Sequence, residues 1–186
     1  AYALRSMKMK QEQQEEALEF IDLEAKRLER LSAKLTSLVG LSSDKIQLNN
    51  IKISDIKYQL EMLFSENSGI KLQAEEGTIR GDQDLLLMLI TNLCDNATKA
   101  GATKIDVKIS SEGMWIKDNG KGITKEEQEH IFEAFYQGDN SRNQEGFGLG
   151  LSLCQKIAEL HNTKLYVDSE PGKGTCFYLY NTLTTS

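Results

Sequence analysis

The chain has 186 residues, 39% of them hydrophobic and 27% charged, with a net charge of −6. That is enough for one good core plus an appendage, and the acidic balance argues against a nucleic-acid binder, which normally carries a basic stripe. No apolar run approaches the roughly 18 residues of a membrane span, Ala1 to Lys10 lacks the apolar stretch and cleavage site of a signal peptide, and the widely separated Cys94, Cys154 and Cys176 are expected to be reduced and mostly buried, as in a cytoplasmic protein.

Residues 1–41 read first as one long helix. Leu28, Leu31, Leu35 and Leu38 repeat at alternating spacings of three and four, with Ile21 and Ala25 extending the stripe upstream. A helix this long with an apolar edge needs a partner: it either lies on its own domain or, as favoured, packs in a helical bundle between two chains. Residues 42–50 are polar and read as a linker, leaving 51–186 as the main domain. Isoleucines at 51 and 53 suggest a short strand. Ser54-Asp55 offers an N-cap for a helix through Leu60 and Phe64, stopped near Asn67-Ser68-Gly69. Strands are expected at 70–74 and 78–80. Gly81-Asp82 opens a strong helix to about Lys99, with Gly101 as its stop. Further strands are expected at 104–109 and 113–117, then a short helix at 125–132 and a longer one at 149–160. Two last strands, at 164–168 and 176–180, flank the turn Glu170-Pro-Gly-Lys-Gly174. Helices and strands without regular β-α-β alternation imply an α/β (α+β) two-layer sandwich, a mixed sheet with helices on one face.

Three segments carry chemistry. On the helix ending at Lys99, Asn92, Asn96 and Lys99 share one face at about 100° per residue, opposite Leu86, Ile90, Leu93 and Ala97. An Asn oxygen is a hard, neutral ligand that suits magnesium, and Lys99 can serve as a point charge on a phosphate. Asp118 follows a strand and is followed by Asn-Gly-Lys-Gly. Gly120 and Gly122 let the backbone approach a flat ligand, and the carboxylate can accept from an exocyclic amine such as adenine's. Gly146-Phe147-Gly148-Leu149-Gly150 runs into a helix, where glycine-rich backbone presents N–H groups and the positive dipole end to an anion. The polar segment from Gln137 to Glu145, with Arg142, could close over phosphates as a lid. Singly, these are also what a solvated helix face, a surface turn and a loop look like. In this order and together they specify a pocket for ATP and a magnesium ion.

The segments Asn92-Leu-Cys-Asp-Asn96-Ala, Asp118-Asn-Gly-Lys-Gly-Ile123, Ile131-Phe-Glu-Ala-Phe135, Gly146-Phe-Gly-Leu-Gly150 and Gly172-Lys-Gly-Thr-Cys-Phe177 resemble, in order, the nucleotide-binding boxes of sensor histidine kinases. The resemblance covers about residues 50–181. It implies a sheet backed by three helices with ATP under a mobile lid. It assigns magnesium to Asn96, the phosphate neighbourhood to Asn92 and Lys99, and adenine recognition to Asp118 with Gly120, Gly122, Ile123 and Thr175 around it. It gives the phosphate cradle to Gly146–Gly150 and the anchoring of the lid to Phe132 and Phe135. Residues 1–41 would be part of a dimerisation hairpin, with Tyr2-Ala-x-Leu4 as the tail of its first helix and Gln11 to Glu16 as the turn. A homodimer, a response-regulator partner and a full-length protein anchored to a membrane are the implied context.

One departure matters. The phosphoacceptor box, His-Glu followed shortly by Pro, is absent, and neither His130 nor His161 has an acidic neighbour on its C-terminal side. The chain begins without Met, so a piece of a longer protein is expected. The family register puts the acceptor roughly a dozen residues before Ala1, about three helical turns. The chain by itself is then not expected to phosphorylate itself. Two other readings stay open. A hydrolytic ATPase of the related topoisomerase, chaperone and mismatch-repair group would use a Glu where this chain has Asn92, and an amide cannot act as its general base. A non-catalytic dimeric scaffold would not bind ATP.

Overall fold

A computed structural model describes residues 46–65, 69–138 and 147–181, together with Leu41 and scattered helical positions between 18 and 40. Ile21 and Ala25 are helical and exposed, and Lys26 pairs with Asp22 one turn away. The leucine seam at Leu28, Leu31, Leu35 and Leu38 lies outside the described residues. So do Tyr2 to Leu4, the turn at Gln11 to Glu16, the linker core Ser42 to Asp44, and Gly146 with Arg142. No helix among the described residues is long and apolar enough to cross a membrane.

The elements run β1 (Asn49–Lys52), α1 (Ile53–Leu63), β2 (Ile70–Ala74), β3 (Thr78–Gly81), α2 (Gln83–Lys99), β4 (Ile105–Ser110), β5 (Gly113–Asp118), α3 (Lys125–Gln128), α4 (Gly150–Leu160), β6 (Tyr166–Glu170) and β7 (Gly174–Tyr180). Strands β2-β4-β5-β7-β6 form a five-stranded sheet, and β1 pairs with β3 in a separate ribbon. Only β2 and β4 run parallel, with Ile70 opposite Ile105. A parallel pair needs a long crossover, which β3 and α2 supply. The architecture is thus the expected mixed-sheet α/β sandwich.

Alternation along the strands explains the layering. Val107, Ile109, Met114, Ile116, Phe177 and Leu179 are buried beneath the helices. Lys108, Trp115, Tyr178 and Tyr166 alternate with them and form one cross-strand row on the opposite face. Helix α2 is the centre of the second layer. Leu85, Leu86, Leu87, Leu89, Ile90, Leu93, Cys94 and Ala97 are all buried, whereas Asp84, Asp95 and Thr98 are exposed and the neighbouring Asn92-Asn96 edge, ending in the exposed Lys99, is half-buried. Cys94 and Cys154 are buried, Cys176 is half-buried, and all three are free thiols.

Several boundaries differ from the sequence reading. Strand β1 takes in Asn49 and Asn50, and Ile53 starts α1 rather than extending the strand. Lys52 is the N-cap and gives no side-chain cap, while Ser54 Oγ turns to the Asp55 carboxylate (3.2 Å). The freed Ile53 N–H donates to Gly77 O (3.1 Å), which does the work expected of a Ser or Asp cap. Starting there puts Ile53, Ile56 and Leu60 on one fully buried stripe. Helix α3 ends at Gln128 instead of 132: His130 N–H turns back to Glu127 O and Glu133 N–H to His130 O in tight turns, and Phe135 then adopts φ 68, outside any right-handed helix. Strands β6 and β7 lie two residues closer to their turn than expected. Glu170 pairs with Gly174 across it, Pro171 and Gly172 (φ 78) take its corner, and Lys173 N–H closes it on Glu170 O at 3.0 Å.

His161, at the C-terminus of α4, ties the helical layer together. It is 5% exposed. Its Nε2 lies 3.0 Å from Asp82 N and its Nδ1 2.7 Å from Ile157 O. A backbone N–H must donate and a carbonyl must accept, so the ring is the neutral Nδ1–H tautomer. Asp82 is itself the N-cap of α2, accepting from Leu85 N (3.1 Å), and Gly81 leaves the room: a Cβ there would sit 3.0 Å from the imidazole. His161→Ala strands the Asp82 N–H and opens a cavity. We expect a loss of roughly 2–5 kcal/mol, read as a lower urea midpoint at unchanged slope.

Candidate functional site

A cleft of about 210 Å³ opens where α2, β5, α3, β7 and the start of α4 converge. Asp118, the last residue of β5, forms its floor. The side chain is 6% exposed. Its Oδ1 accepts from Gly120 N (2.7 Å) and Thr175 N (3.3 Å). None of these bonds uses Oδ2. Burial pushes the carboxyl above its usual range, and the two backbone donors pull partly back. Gly174 makes this approach of β7 possible. Its φ is +93, and a Cβ there would collide with the Asp118 carbonyl. Gly122 (φ +71) likewise faces the Glu170 carbonyl with no space for a Cβ, and Gly172 N–H bonds Lys121 O at 2.7 Å. The turn after β5 and the β6–β7 turn are therefore one interlocked wall.

That wall has a hydrogen-bonded interior. Ser169 and Thr175 stand opposite each other across β6–β7, with their hydroxyls 2.9 Å apart. Ser169 Oγ also lies 2.9 Å from Ile123 N and 2.9 Å from Gly174 O. Gln128 Nε2 donates to Ile123 O (2.9 Å) and Ser169 O (3.0 Å), fastening α3 to β6. A capping box starts α3: Thr124 Oγ1 accepts from Glu127 N (3.2 Å) and Glu127 Oε2 from Thr124 N (3.1 Å).

At the other end the cleft meets α2 and α4. Asn96 and Lys99 line it, as do Phe147, Gly148 and Gly150. A Cβ on Gly150 would lie 3.5 Å from the Asn96 amide and 3.6 Å from Asn92 Oδ1, so the start of α4 faces both asparagines. The N-cap of α4, Leu149, supplies no side-chain acceptor, and the first-turn N–H groups remain for a ligand. Asn96 Nδ2 is buried without a hydrogen-bond partner. A buried amide left unpaired is costly, and a half-turn of the group presents its oxygen instead. These features fit a magnesium-bound polyphosphate. Asn92 is held differently, its Nδ2 donating to Met88 O (2.8 Å).

Of the residues assigned from sequence, the structure gathers Asn96, Lys99, Asp118, Gly122, Ile123, Phe147, Gly148, Gly150 and Thr175 on one cleft wall. Asn92, Gly120 and Leu149 lie behind it. Gly120 backs onto Ala100 O, and Leu149 is in the core. Phe132 packs against the core, whereas Phe135 stands off the wall, 62% exposed. Its N–H bonds Gly148 O (2.9 Å), joining the segment after α3 to the start of α4. Arg142 and Gly146 lie outside the described residues. Sequence reasoning missed Glu127, Tyr136 and Phe177 on the wall, and Ser169 and Gln128 behind it. Thr124-x-x-Glu127 was readable as a capping box. Ser169 was not, because its role depends on the β6–β7 register.

A family model described as histidine kinase-, DNA gyrase B-, and HSP90-like ATPase matches residues 81–185, more than half of the chain. The sensor histidine kinase YkoH of Bacillus subtilis (strain 168) is 32% identical over 172 residues, 87% of this chain and 38% of that protein. Sensor protein SrrB of Staphylococcus aureus (strain NCTC 8325 / PS 47) is 31% identical over 183 residues, 88% of this chain and 31% of that protein. The chain thus spans about a third of the length of these curated relatives. Among solved structures, a mycobacterial sensor histidine kinase, MprB, superimposes with a TM-score of 0.57 at 25% identity, covering 73% of this chain and 97% of that one. Full-length ShkA in complex with AMPPNP gives 0.71 at 21% identity, over 98% of this chain and 41% of that one, a likeness of fold.

Two glycines of the site should respond oppositely to a methyl group. Gly122→Ala drives a Cβ into the Glu170 carbonyl at positive φ, with an expected cost of roughly 1–3 kcal/mol or more. Gly150→Ala meets only ordinary contacts in a helical position and should leave stability level or slightly higher. Paired thermal melts of the two variants check the contrast.

Proposed function

The chain belongs to the histidine kinase-, DNA gyrase B- and HSP90-like ATPase family, on the side of the sensor histidine kinases, and from that premise we propose that its cleft binds Mg-ATP and donates the γ-phosphoryl group to a histidine. The observation that carries this reading is the pairing, in one cleft, of the buried Asp118 carboxylate at one end with the unpartnered Asn96 amide and the uncapped start of α4 at the other. The first suits a base with an exocyclic amine. The second suits a polyphosphate with its cation.

In this reading Asp118 Oδ2 accepts from the adenine amine, with Gly122, Ile123 and Thr175 packed around the ring. Lys99 and the backbone N–H groups at Gly148 and Gly150 neutralise phosphate charge, with Gly146 and Arg142 assigned to the same end. Asn96 would hold magnesium, with Asn92 beside it, and the bound ion would supply charge neutralisation across the phosphates. Transfer is then a matter of positioning: the bond to the γ-phosphorus breaks as a histidine nitrogen attacks in line, and ADP leaves. The phosphoryl group would pass on to a response-regulator aspartate, in a protein dimeric through its helical hairpin and working in the cytoplasm.

Hydrolysis is the weaker reading. Asn92 has no basic oxygen to activate water, and its amide is already engaged with the helix backbone.

Both histidines of the chain are occupied elsewhere. His161 is buried with both ring nitrogens bonded to backbone. His130 is at the surface, paired with Glu133 Oε1 at 2.7 Å, which raises its pKa. The acceptor is therefore assigned to a histidine outside these 186 residues. Incubation with labelled ATP should leave this chain unlabelled, while a longer protein carrying the hairpin histidine gains acid-labile label. Label on His130 or His161 would sink the assignment.

Calorimetry tests the nucleotide reading. Asp118→Asn should weaken Mg-ATP binding by roughly 1–3 kcal/mol. The acceptor is needed ionised and its pKa is raised. Wild-type affinity should therefore fall as pH drops through that raised pKa, at higher pH than an ordinary Asp would give, and the Asn variant should lose this dependence.

A further inference from the structure

Ser169 fixes the hydrogen-bond polarity of the nucleobase end of the cleft, and this follows from counting hydrogens. A serine hydroxyl has one proton and two lone pairs. Its oxygen lies 2.9 Å from Gly174 O. A carbonyl cannot donate, so two oxygens at that distance need the Ser169 proton between them. The Ile123 N–H, also at 2.9 Å, takes one lone pair. The remaining contact, 2.9 Å to Thr175 Oγ1, can then only be a donation from Thr175 to Ser169. The serine is saturated, and the Thr175 proton is turned away from the cleft that Thr175 lines. Thr175 offers a ligand lone pairs only. Beside it Asp118, whose Oδ1 already receives the Thr175 N–H, is an acceptor when ionised.

We propose that Ser169 is a positioning residue for base selection: by holding the Thr175 hydroxyl as an acceptor next to Asp118, it makes this end of the cleft select a 6-amino purine and reject a 6-oxo purine. The proposal rests on the reading of the cleft as a nucleotide site and adds the reason for its base preference. An amine brings two hydrogens to two acceptors. A 6-oxo group brings lone pairs against them, and a buried acceptor facing an acceptor loses its bond without replacement. Gln128 clamps Ile123 O and Ser169 O and so holds the hub in place.

Binding of ATP and of inosine triphosphate, each with magnesium, to the present chain tests this by calorimetry. Wild type should prefer ATP by on the order of tenfold or more. Ser169→Ala frees the Thr175 hydroxyl to rotate and donate, so the ATP/ITP ratio should shrink several-fold through weaker ATP and stronger ITP binding. Ser169→Thr keeps the hydroxyl and should restore the ratio. In the Ser169→Ala background, Thr175→Val should lower affinity for ITP, since the rotated donor is what accommodates it. A general loosening of the wall would reduce both affinities together and leave the ratio unchanged, so the ratio separates positioning from stability. An unchanged ratio in Ser169→Ala, in a chain that binds ATP, overturns the proposal. A wild-type chain that binds neither nucleotide overturns the nucleotide reading itself.

Discussion

Everything at the Asp118 end of the cleft depends on the contact between the end of β5 and the start of β7. The Asp118 carboxylate takes backbone N–H groups from its own turn and from Thr175, while the Asp118 carbonyl occupies the space where Gly174 has no side chain. Burying a carboxylate is costly unless it is hydrogen-bonded, and here two backbone donors meet one oxygen and leave the other. A charged acceptor is thus held, desolvated, at the floor of an open cleft. Such an arrangement raises the pKa, a perturbation that clusters at functional sites.

The opposite end is organised by a different physical device. Helix α2 is nearly all apolar because it lies between the sheet and α4. One edge carries Asn92, Asn96 and Lys99, and α4 begins against that edge with Gly150, where a Cβ would lie within ordinary contact distance of both amides. His161 closes the same pair of helices at their far ends by accepting the Asp82 N–H, while its other ring nitrogen bonds Ile157 O within α4. Helix dipole, orphaned amide and ammonium thereby meet at one place by packing. Between the two ends, α3 acts as a short strut. Its capping box faces the cleft through Glu127, and its last residue, Gln128, holds the β6 edge.

Much of the fold was legible because period and punctuation agreed. Asp82 as cap, Lys99 as end and Gly101 (φ +80) as stop bound α2 as the sequence implies. The strands expected at 104–109 and 113–117 are present, with Val107 and Ile109 buried and Lys108 and Trp115 on the other face. The misreadings fall where a distant partner overrode a local signal. Ser54-Asp55 looks like a cap, but Gly77 O, reached through the β2–β3 turn, takes the orphan N–H one residue earlier. The helix after Lys125 looks longer than it is, because nothing local announces that Phe135 must turn to positive φ to meet Gly148.

The sequence by itself determined the inventory: which residues can coordinate, accept or cradle, in what order, and that glycines at 120 and 122 let backbone come close. Those properties are local, being set by side-chain chemistry and by φ/ψ freedom. Only the tertiary structure decided which way the hydrogen bonds run. Ser169 reads as an ordinary strand serine until β6 and β7 are set in register and bring Ile123 N, Gly174 O and Thr175 Oγ1 around one oxygen. Donor and acceptor direction is a property of the whole set of neighbours, because each hydroxyl has a single proton to place.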